Sequence, residues 1–139
     1  MRKNDPISKI MSTDVHAIQD GQNLSDVRHI MCNSSVHHVP VLNGKKLVGL
    51  ISFTDMMKLN LVTGQANEYT ADVIIDQQFS VTDVMSKDLK TITTKDNIRT
   101  AAKLLSEGDF HSLPVINEER ELVGIITSTD LISYLAELY

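Results

Sequence analysis

The sequence predicts an α+β fold built from two tandem repeats, and three observations lead to this prediction. First, the motif at 49–55 returns at 124–130, about 75 positions later. Second, the apolar residues within each copy follow the spacing of strands and amphipathic helices in turn. Third, 139 residues with a hydrophobic fraction of 42% suit one ordinary domain or two very small ones.

Two further pairs of motifs establish the duplication. The segment 10–18 matches 84–92 and the segment 37–41 matches 111–115, both at an offset of 74 positions. The offset then grows by one residue within a predicted turn, where insertions are tolerated. Units of about 60 residues are marginal alone, which predicts that the repeats pack as one pseudo-symmetric pair. We divide the chain into domain 1 at 1–69 and domain 2 at 70–139.

Each repeat is predicted to contain a short leading helical turn followed by strand, helix, strand, strand and helix (β-α-β-β-α). Asn23 with Asp26, and Asn97 or Asp96, are predicted to begin the first helices. Asn43-Gly44 predicts the hairpin turn of repeat one. The stretch 62–80 is interpreted as a connector. The predicted segments are 7–11, 15–18, 24–33, 38–42, 47–52 and 54–61 in repeat one, and 81–85, 89–92, a helix from 98, 112–116, 121–127 and 129–138 in repeat two.

Composition and charge argue against several classes of function. The net charge of −5 and the pI near 5.4 argue against a nucleic-acid-binding surface. No apolar run approaches the ~18 residues that span a bilayer, and no signal-peptide pattern is found. The single cysteine, Cys32, predicts a reducing, cytoplasmic location. No nucleophile elbow or Gly-rich phosphate loop is present, so we expect no enzymatic activity.

A Ser or Thr followed by Asp three positions later stands at the start of each closing helix, as Ser52 with Asp55 and Thr127 with Asp130. This spacing is typical of a capping box, which is a routine helix start. The same junction presents free N–H groups and the positive end of the helix dipole, so it can hold an anion or a sugar hydroxyl. The residues alone leave both interpretations open.

Histidines at 37 and 38 raise the question of a metal site. Adjacent residues on a strand point to opposite faces, so this pair cannot chelate one ion. No Cys, His and acid spacing of a zinc site is present, and we expect no metal. The equivalence of His37 and His111 favours a repeated structural role.

The ordered set of motifs resembles the CBS domain, named after cystathionine β-synthase, and the two copies resemble a stand-alone CBS pair, or Bateman module. Each repeat reads Met-Ser-x-Asp, an amphipathic helix, His-x-x-Pro-Val, and then Gly followed by Ser or Thr with Asp, from about Ile7 to Tyr139. The resemblance implies a regulatory module with two clefts between its repeats. It implies AMP, ADP, ATP or S-adenosylmethionine as the ligand, no required cofactor, and a regulated enzyme or transporter as partner.

The resemblance also implies the ligand contacts. Asp55 and Asp130 are expected to accept hydrogen bonds from the ribose diol, and Ser52 and Thr127 to contact ribose or phosphate. Thr54 and Thr129 stand where many family members carry Arg or Lys, which favours AMP, adenosine or a sulfonium ligand over ATP. The residues expected to frame the adenine or to face the cleft are Val15, Ala17, His38, Val39, Pro40, Leu89, Thr91, Ser112, Leu113 and Pro114.

The closing helices carry more apolar residues than their own sheets can cover. Met56, Met57, Ile132 and Leu135 contribute to this surplus. It predicts self-association into a homodimer. An alternative function is a degenerate CBS pair that serves as a protein-interaction or dimerisation scaffold without binding a nucleotide.

Overall fold

The structure of the chain, a computed structural model, describes residues 5–63, 67–108 and 111–139. Within these residues, two three-stranded sheets, ordered β1-β2-β3 and β4-β5-β6, combine with six helices, which confirms the predicted α+β fold class. A 3-10 turn covers Ile7–Lys9. The elements are β1 (Ile18–Gln19), α1 (Leu24–Ser34), β2 (His38–Asn43), β3 (Lys46–Ser52), α2 (Phe53–Thr63), α3 (Glu68–Gln78), α4 (Val81–Val84), β4 (Ile92–Thr93), α5 (Ile98–Ser106), β5 (Ser112–Ile116), β6 (Leu122–Thr127) and α6 (Ser128–Glu137).

The leading turns, helices and hairpin strands end within two residues of their predicted ends, but the first strands are shorter than predicted. They begin at Ile18 and Ile92 instead of Val15 and Leu89. The reason is that each pairs in parallel with only two residues of its neighbour, such as Val41 and Leu42 for β1. The backbone before them therefore lies outside the sheet ladder.

The interpretation of 62–80 as a plain connector was wrong, because residues 68–78 form helix α3. Asn67 caps this helix, since its side-chain oxygen accepts the Thr70 N–H at 2.9 Å. Ala71 and Ile75 lie one helical turn apart and are both buried. Part of the predicted connector, 64–66, lies outside the described residues.

The chain divides into two compact units that do not coincide with the two repeats. Unit 1 consists of Met1–Val15 and Lys90–Tyr139, and unit 2 of His16–Leu89. The predicted domain boundary at 69/70 falls inside α3, which belongs wholly to unit 2. Each unit therefore combines the sheet of one repeat with the leading segment of the other.

The core of unit 2 lies between its sheet and its helices. Its fully buried side chains come from the sheet and from α1, α3 and α4, among them Leu24, Val39 and Ile75. The leading segment of repeat two extends the sheet at β3, where the N–H and C=O of Leu50 bond to Ser86 at 3.1 and 2.9 Å.

Unit 1 repeats this arrangement with the other leading segment. Its core includes Leu113 and Ile126, together with Ile7 from the start of the chain. Ser12 and Ile125 exchange two backbone hydrogen bonds, both at 2.9 Å. The leading segment of repeat one thus extends the sheet of repeat two.

The glycine of each repeated motif lies beneath a methionine of the leading segment. A Cβ on Gly49 would collide with Sδ of Met85 and lie 2.7 Å from its Cγ. A Cβ on Gly124 would lie 2.9 Å from Met11 Sδ and 3.0 Å from the Ser12 carbonyl oxygen. The absence of a side chain at both positions lets the leading segment approach the sheet edge.

Candidate functional site

In unit 2, the candidate site is the junction at which β3 ends and α2 begins. The Ser52 N–H donates to Asp55 Oδ2 at 2.9 Å, and the Asp55 N–H donates to Ser52 Oγ at 3.1 Å. The next N–H, of Phe53, donates to the His37 carbonyl oxygen at 2.7 Å. The junction is a complete capping box.

In unit 1, the same arrangement starts α6. The Thr127 N–H donates to Asp130 Oδ2 at 2.9 Å, and the Asp130 N–H donates to Thr127 Oγ1 at 3.1 Å. The Ser128 N–H donates to the His111 carbonyl oxygen at 3.1 Å. The two junctions therefore match in their bonds as well as in their sequence.

Capping and ligand binding do not compete for the same carboxylate oxygen. In each box the backbone N–H uses Oδ2 of the aspartate, and within the described residues no hydrogen bond reaches Oδ1 of Asp55 or Asp130. Both aspartates are partly exposed. A carboxylate accepts several hydrogen bonds at once, so Oδ1 can accept from a hydroxyl while Oδ2 holds the helix start.

The hairpin register determines which predicted residues can offer a side chain. Val39 pairs with Ile51, and Leu113 with Ile126, and all four side chains are fully buried in the cores of their own units. Val39 and Leu113 can therefore contact a ligand only through their backbone. Pro40 and Pro114, one residue further along their strands, are also buried and have no N–H to donate.

His38 and Ser112 occupy the equivalent position at the start of the hairpin. His38 is paired with Ser52, and Ser112 with Thr127, so each lies beside a capping hydroxyl. His38 is partly exposed and takes part in an interaction within the protein. The Ser112 hydroxyl is buried and has no hydrogen-bond partner among the described residues.

The remaining predicted residues lie in the segments that precede β1 and β4. Val15 and Thr91 belong to unit 1, and Ala17 and Leu89 to unit 2. All four are partly buried. In the described part of the chain, no hydrogen bond joins these segments to the capping boxes, so their place in a site stays a prediction.

Sequence reasoning missed the polar contacts of α3 with α1. Asp76 accepts from the Ser25 N–H at 2.9 Å and from the Ser25 hydroxyl at 2.6 Å. Asp72 contacts Arg28 Nη1 and His29 Nε2, both at 2.8 Å. The spacing of Asp72 and Asp76, one helical turn apart, was the available signal, but it required recognition of α3 as a helix.

The described residues contain neither a metal-binding cluster nor a helix that could span a membrane. These residues contain no group of three His, Cys, Asp or Glu side chains arranged to hold a metal ion. Their helices are all too short or too polar to cross a membrane.

The sequence pattern of the CBS domain matches residues 7–61 and 81–137, so the chain belongs to the CBS domain family. Uncharacterized protein MJ1426 of Methanocaldococcus jannaschii is 30% identical over 93% of the chain and 90% of its own length. MJ1225 of the same organism is 28% identical over 96% of the chain. Homoserine O-acetyltransferase of Methanobrevibacter ruminantium is 31% identical, also over 96%. The chain spans about half of MJ1225 and about a quarter of the acetyltransferase.

Solved CBS pairs share the fold. CBSX2 in complex with AMP superposes with a TM-score of 0.80 at 22% identity, over 96% of this chain and 98% of that chain. The CBS pair of MJ0100, in complex with 5′-methylthioadenosine and S-adenosyl-L-methionine, gives 0.79 at 19% identity, over 98% and 99%.

Proposed function

We propose that the chain is a regulatory, non-catalytic module that binds an adenosyl ligand such as AMP, ADP, ATP or S-adenosylmethionine. The observation that carries the proposal is that the helix caps use only Oδ2 of Asp55 and Asp130, so that Oδ1 accepts no hydrogen bond from the described residues. Support comes from the ligands of the similar pairs, AMP in CBSX2 and 5′-methylthioadenosine with S-adenosyl-L-methionine in MJ0100.

The roles follow from the chemistry of each group. Asp55 and Asp130 accept from the ribose diol, and the helix N-termini that begin after Ser52 and Thr127 favour a negatively charged ligand oxygen. The adenine is framed by backbone groups near Val39 and Leu113 and in the segments at Val15, Ala17, Leu89 and Thr91. Thr54 and Thr129 supply no positive charge, so a ligand with one phosphate or none is preferred.

The test is calorimetric titration of AMP, ADP, ATP and S-adenosylmethionine into the wild type and into the double variant Asp55→Asn with Asp130→Asn. The amide oxygen of Asn can still accept the capping N–H, but its amino group replaces the acceptor that faces the diol. We expect AMP affinity to fall at least about tenfold, because hydrogen bonds to charged groups are strong. Asp88→Asn, at an exposed position, is the matched control. Wild-type protein that binds none of the four ligands contradicts the proposal.

The partner in regulation is proposed to be an enzyme or transporter. The match to one quarter of homoserine O-acetyltransferase supports an enzyme, because it relates this chain to a segment of a longer enzyme. Pull-down with this chain as bait, with and without AMP, tests this proposal. We expect one enzyme or transporter to be captured reproducibly, in an amount that AMP changes, and capture of neither contradicts the proposal. The single cysteine supports a cytoplasmic place of action.

Self-association into a homodimer belongs to the same proposal. In α6, Ile132 and Leu135 are 66% and 48% exposed, and in α2, Met57 is 53% exposed. Exposed apolar stripes of this kind favour a protein interface. Light scattering at micromolar concentration should give twice the mass of the chain, and a monomeric mass contradicts the dimer.

These stripes also favour the second candidate function, a scaffold that binds no nucleotide. A scaffold predicts no heat of binding with any of the four ligands and a melting temperature that none of them changes. The same titrations therefore distinguish the two functions.

A further inference from the structure

The two candidate sites differ in one buried group. Ser112 is 3% exposed, and its hydroxyl has no hydrogen-bond partner in the described part of the chain. A buried polar group without a partner is unfavourable and uncommon in native proteins. At the equivalent position of unit 2 stands His38, which already has an interaction within the protein.

The register of the β5–β6 hairpin places Ser112 on the same face of the sheet as Thr127. Side chains alternate between faces along a strand, and paired residues share a face. Leu113 and Ile126 point into the core of unit 1. Their neighbours Ser112 and Thr127 therefore lie on the opposite face, where Thr127 Oγ1 caps the first turn of α6.

Ser112 pairs with Thr127 at the N-terminus of α6, where one backbone N–H has no hydrogen-bond partner among the described residues. The first-turn N–H groups of a helix have no partner within the helix. Among the described residues, His111 O accepts the N–H of Ser128 and Thr127 Oγ1 accepts that of Asp130, which leaves the N–H of Thr129. With ten residues, α6 is long enough to add the favourable end of a helix dipole.

We propose that the unit 1 site is the one an adenosyl ligand fills first, because the Ser112 hydroxyl donates its hydrogen to a ligand oxygen. Ligand binding satisfies a group that is otherwise buried and unpaired, a gain that His38 does not provide in unit 2. A neutral hydroxyl and a single N–H suit an oxygen with at most one phosphate, as in AMP. The inference rests on the proposed function and adds an order to its two sites.

The experiment is titration of AMP into the full chain as wild type, Ser112→Ala and His38→Ala. The wild type should show a tight and a weaker step. Ser112→Ala should weaken the tight step by about tenfold, the usual effect of one hydrogen bond in a buried site. The melting temperature of the ligand-free variant should be unchanged or higher, because the unpaired hydroxyl is gone. His38→Ala should alter only the weaker step, and Ser133→Ala, on the exposed part of α6, should alter neither.

A second pair of variants gives an independent assignment of the steps. Asp130→Asn should remove the tight step, and Asp55→Asn the weaker one. Unchanged tight binding by Ser112→Ala, or loss of the tight step in Asp55→Asn, overturns the inference and leaves the proposed function in place. A lower melting temperature for ligand-free Ser112→Ala also overturns it. Failure of the wild type to bind any of the four adenosyl ligands overturns the proposed function itself.

Discussion

Unit 1 and unit 2 contain the same repeat but hold their long first helices in different ways. In unit 2, Asp76 of α3 accepts both the N–H and the hydroxyl of Ser25 at the start of α1. In unit 1, the Ile98 N–H at the start of α5 donates instead to the carbonyl oxygen of Asp5, at 2.8 Å. The segments that support the helices are those outside the repeat motifs, so each unit could acquire its own stability without changing the shared hairpin and caps.

The two units also differ in the charged side chains that connect their elements. Asp72 of α3 in unit 2 contacts two side chains of α1, the Arg28 guanidinium and the His29 imidazole. In unit 1, Asp5 is buried and accepts the Tyr134 hydroxyl at 2.6 Å, with Lys9 at 3.3 Å. Unit 2 therefore depends more on ionic contacts between helices, and unit 1 on one buried carboxylate. Single substitutions in each unit can measure these two contributions to stability separately.

The largest effect is expected for Asp76→Ala. It removes a charged acceptor and leaves the N–H and hydroxyl of the buried Ser25 unpaired, so the free energy of unfolding should fall by about 2–3 kcal/mol. Chemical denaturation measures the change. Asp88→Ala, which removes an exposed carboxylate, is the control and should change stability by less than about 0.5 kcal/mol. Equal effects from the two variants would show that α3 does not support α1.

Gly49→Ala should lower the free energy of unfolding by about 2 kcal/mol, because its Cβ collides with Met85. Adding Met85→Ala should recover part of this loss, since the colliding atoms belong to a side chain. In unit 1, Met11→Ala should recover less for Gly124→Ala, because the Ser12 carbonyl oxygen also lies in the way. Equal recovery in the two double variants, measured by thermal denaturation, would contradict this difference between the units.

Tyr134→Phe should lower the free energy of unfolding by about 1 kcal/mol, the usual contribution of one hydrogen bond. The substitution keeps the ring and removes only the hydroxyl that Asp5 accepts. Tyr139→Phe, at a side chain that is 99% exposed, is the matched control. Loss of stability in both variants alike would place the effect outside the contact with Asp5.

The smallest effect is expected at α4, whose Asp83 is exposed. Hydrogen bonds from the Ser80 hydroxyl and from the Ser80 N–H lower the pKa of Asp83. The stabilisation from this lowered pKa is present above the unfolded-state pKa and is lost as the pH falls through the folded-state pKa. Ser80→Ala should therefore raise the pKa of Asp83 toward its ordinary value and flatten the loss of stability in acid. NMR titration measures the pKa of Asp83 in both proteins, and a pKa that Ser80→Ala leaves unchanged contradicts the role of Ser80.

Local signals were sufficient for most of the fold. Asn43-Gly44 predicted the hairpin because few other residue pairs adopt that turn, and Gly44 has a φ of +65°. Asn97 was one of two predicted caps, and it accepts the Thr100 N–H at 2.9 Å. Asp96 instead accepts the Thr93 N–H at 2.7 Å.

Long-range contacts could not be predicted in the same way. Helix α3 depends on the burial of Ile75 and on the hydrogen bonds of Asp76 to Ser25 in α1, about 50 residues earlier in the chain. No local sequence motif predicts these contacts. The capping box was one of two interpretations of Ser52 with Asp55 and of Thr127 with Asp130, and the structure contains a capping box at both places. That the hydroxyl of Ser112 is unpaired depends on what surrounds it in three dimensions, so the sequence carries no signal for it.

The exchange of leading segments also affects the order in which the chain can fold during synthesis. Unit 2 is one continuous stretch, so it can form once residue 89 has left the ribosome. Unit 1 needs Ser12 to meet Ile125, so this sheet edge cannot form until residue 125 has been made. Closing so long a loop is slow. The segment that contains Ser12 therefore waits for its partner strand while more than 100 further residues are made, and in that interval it is exposed to wrong pairing.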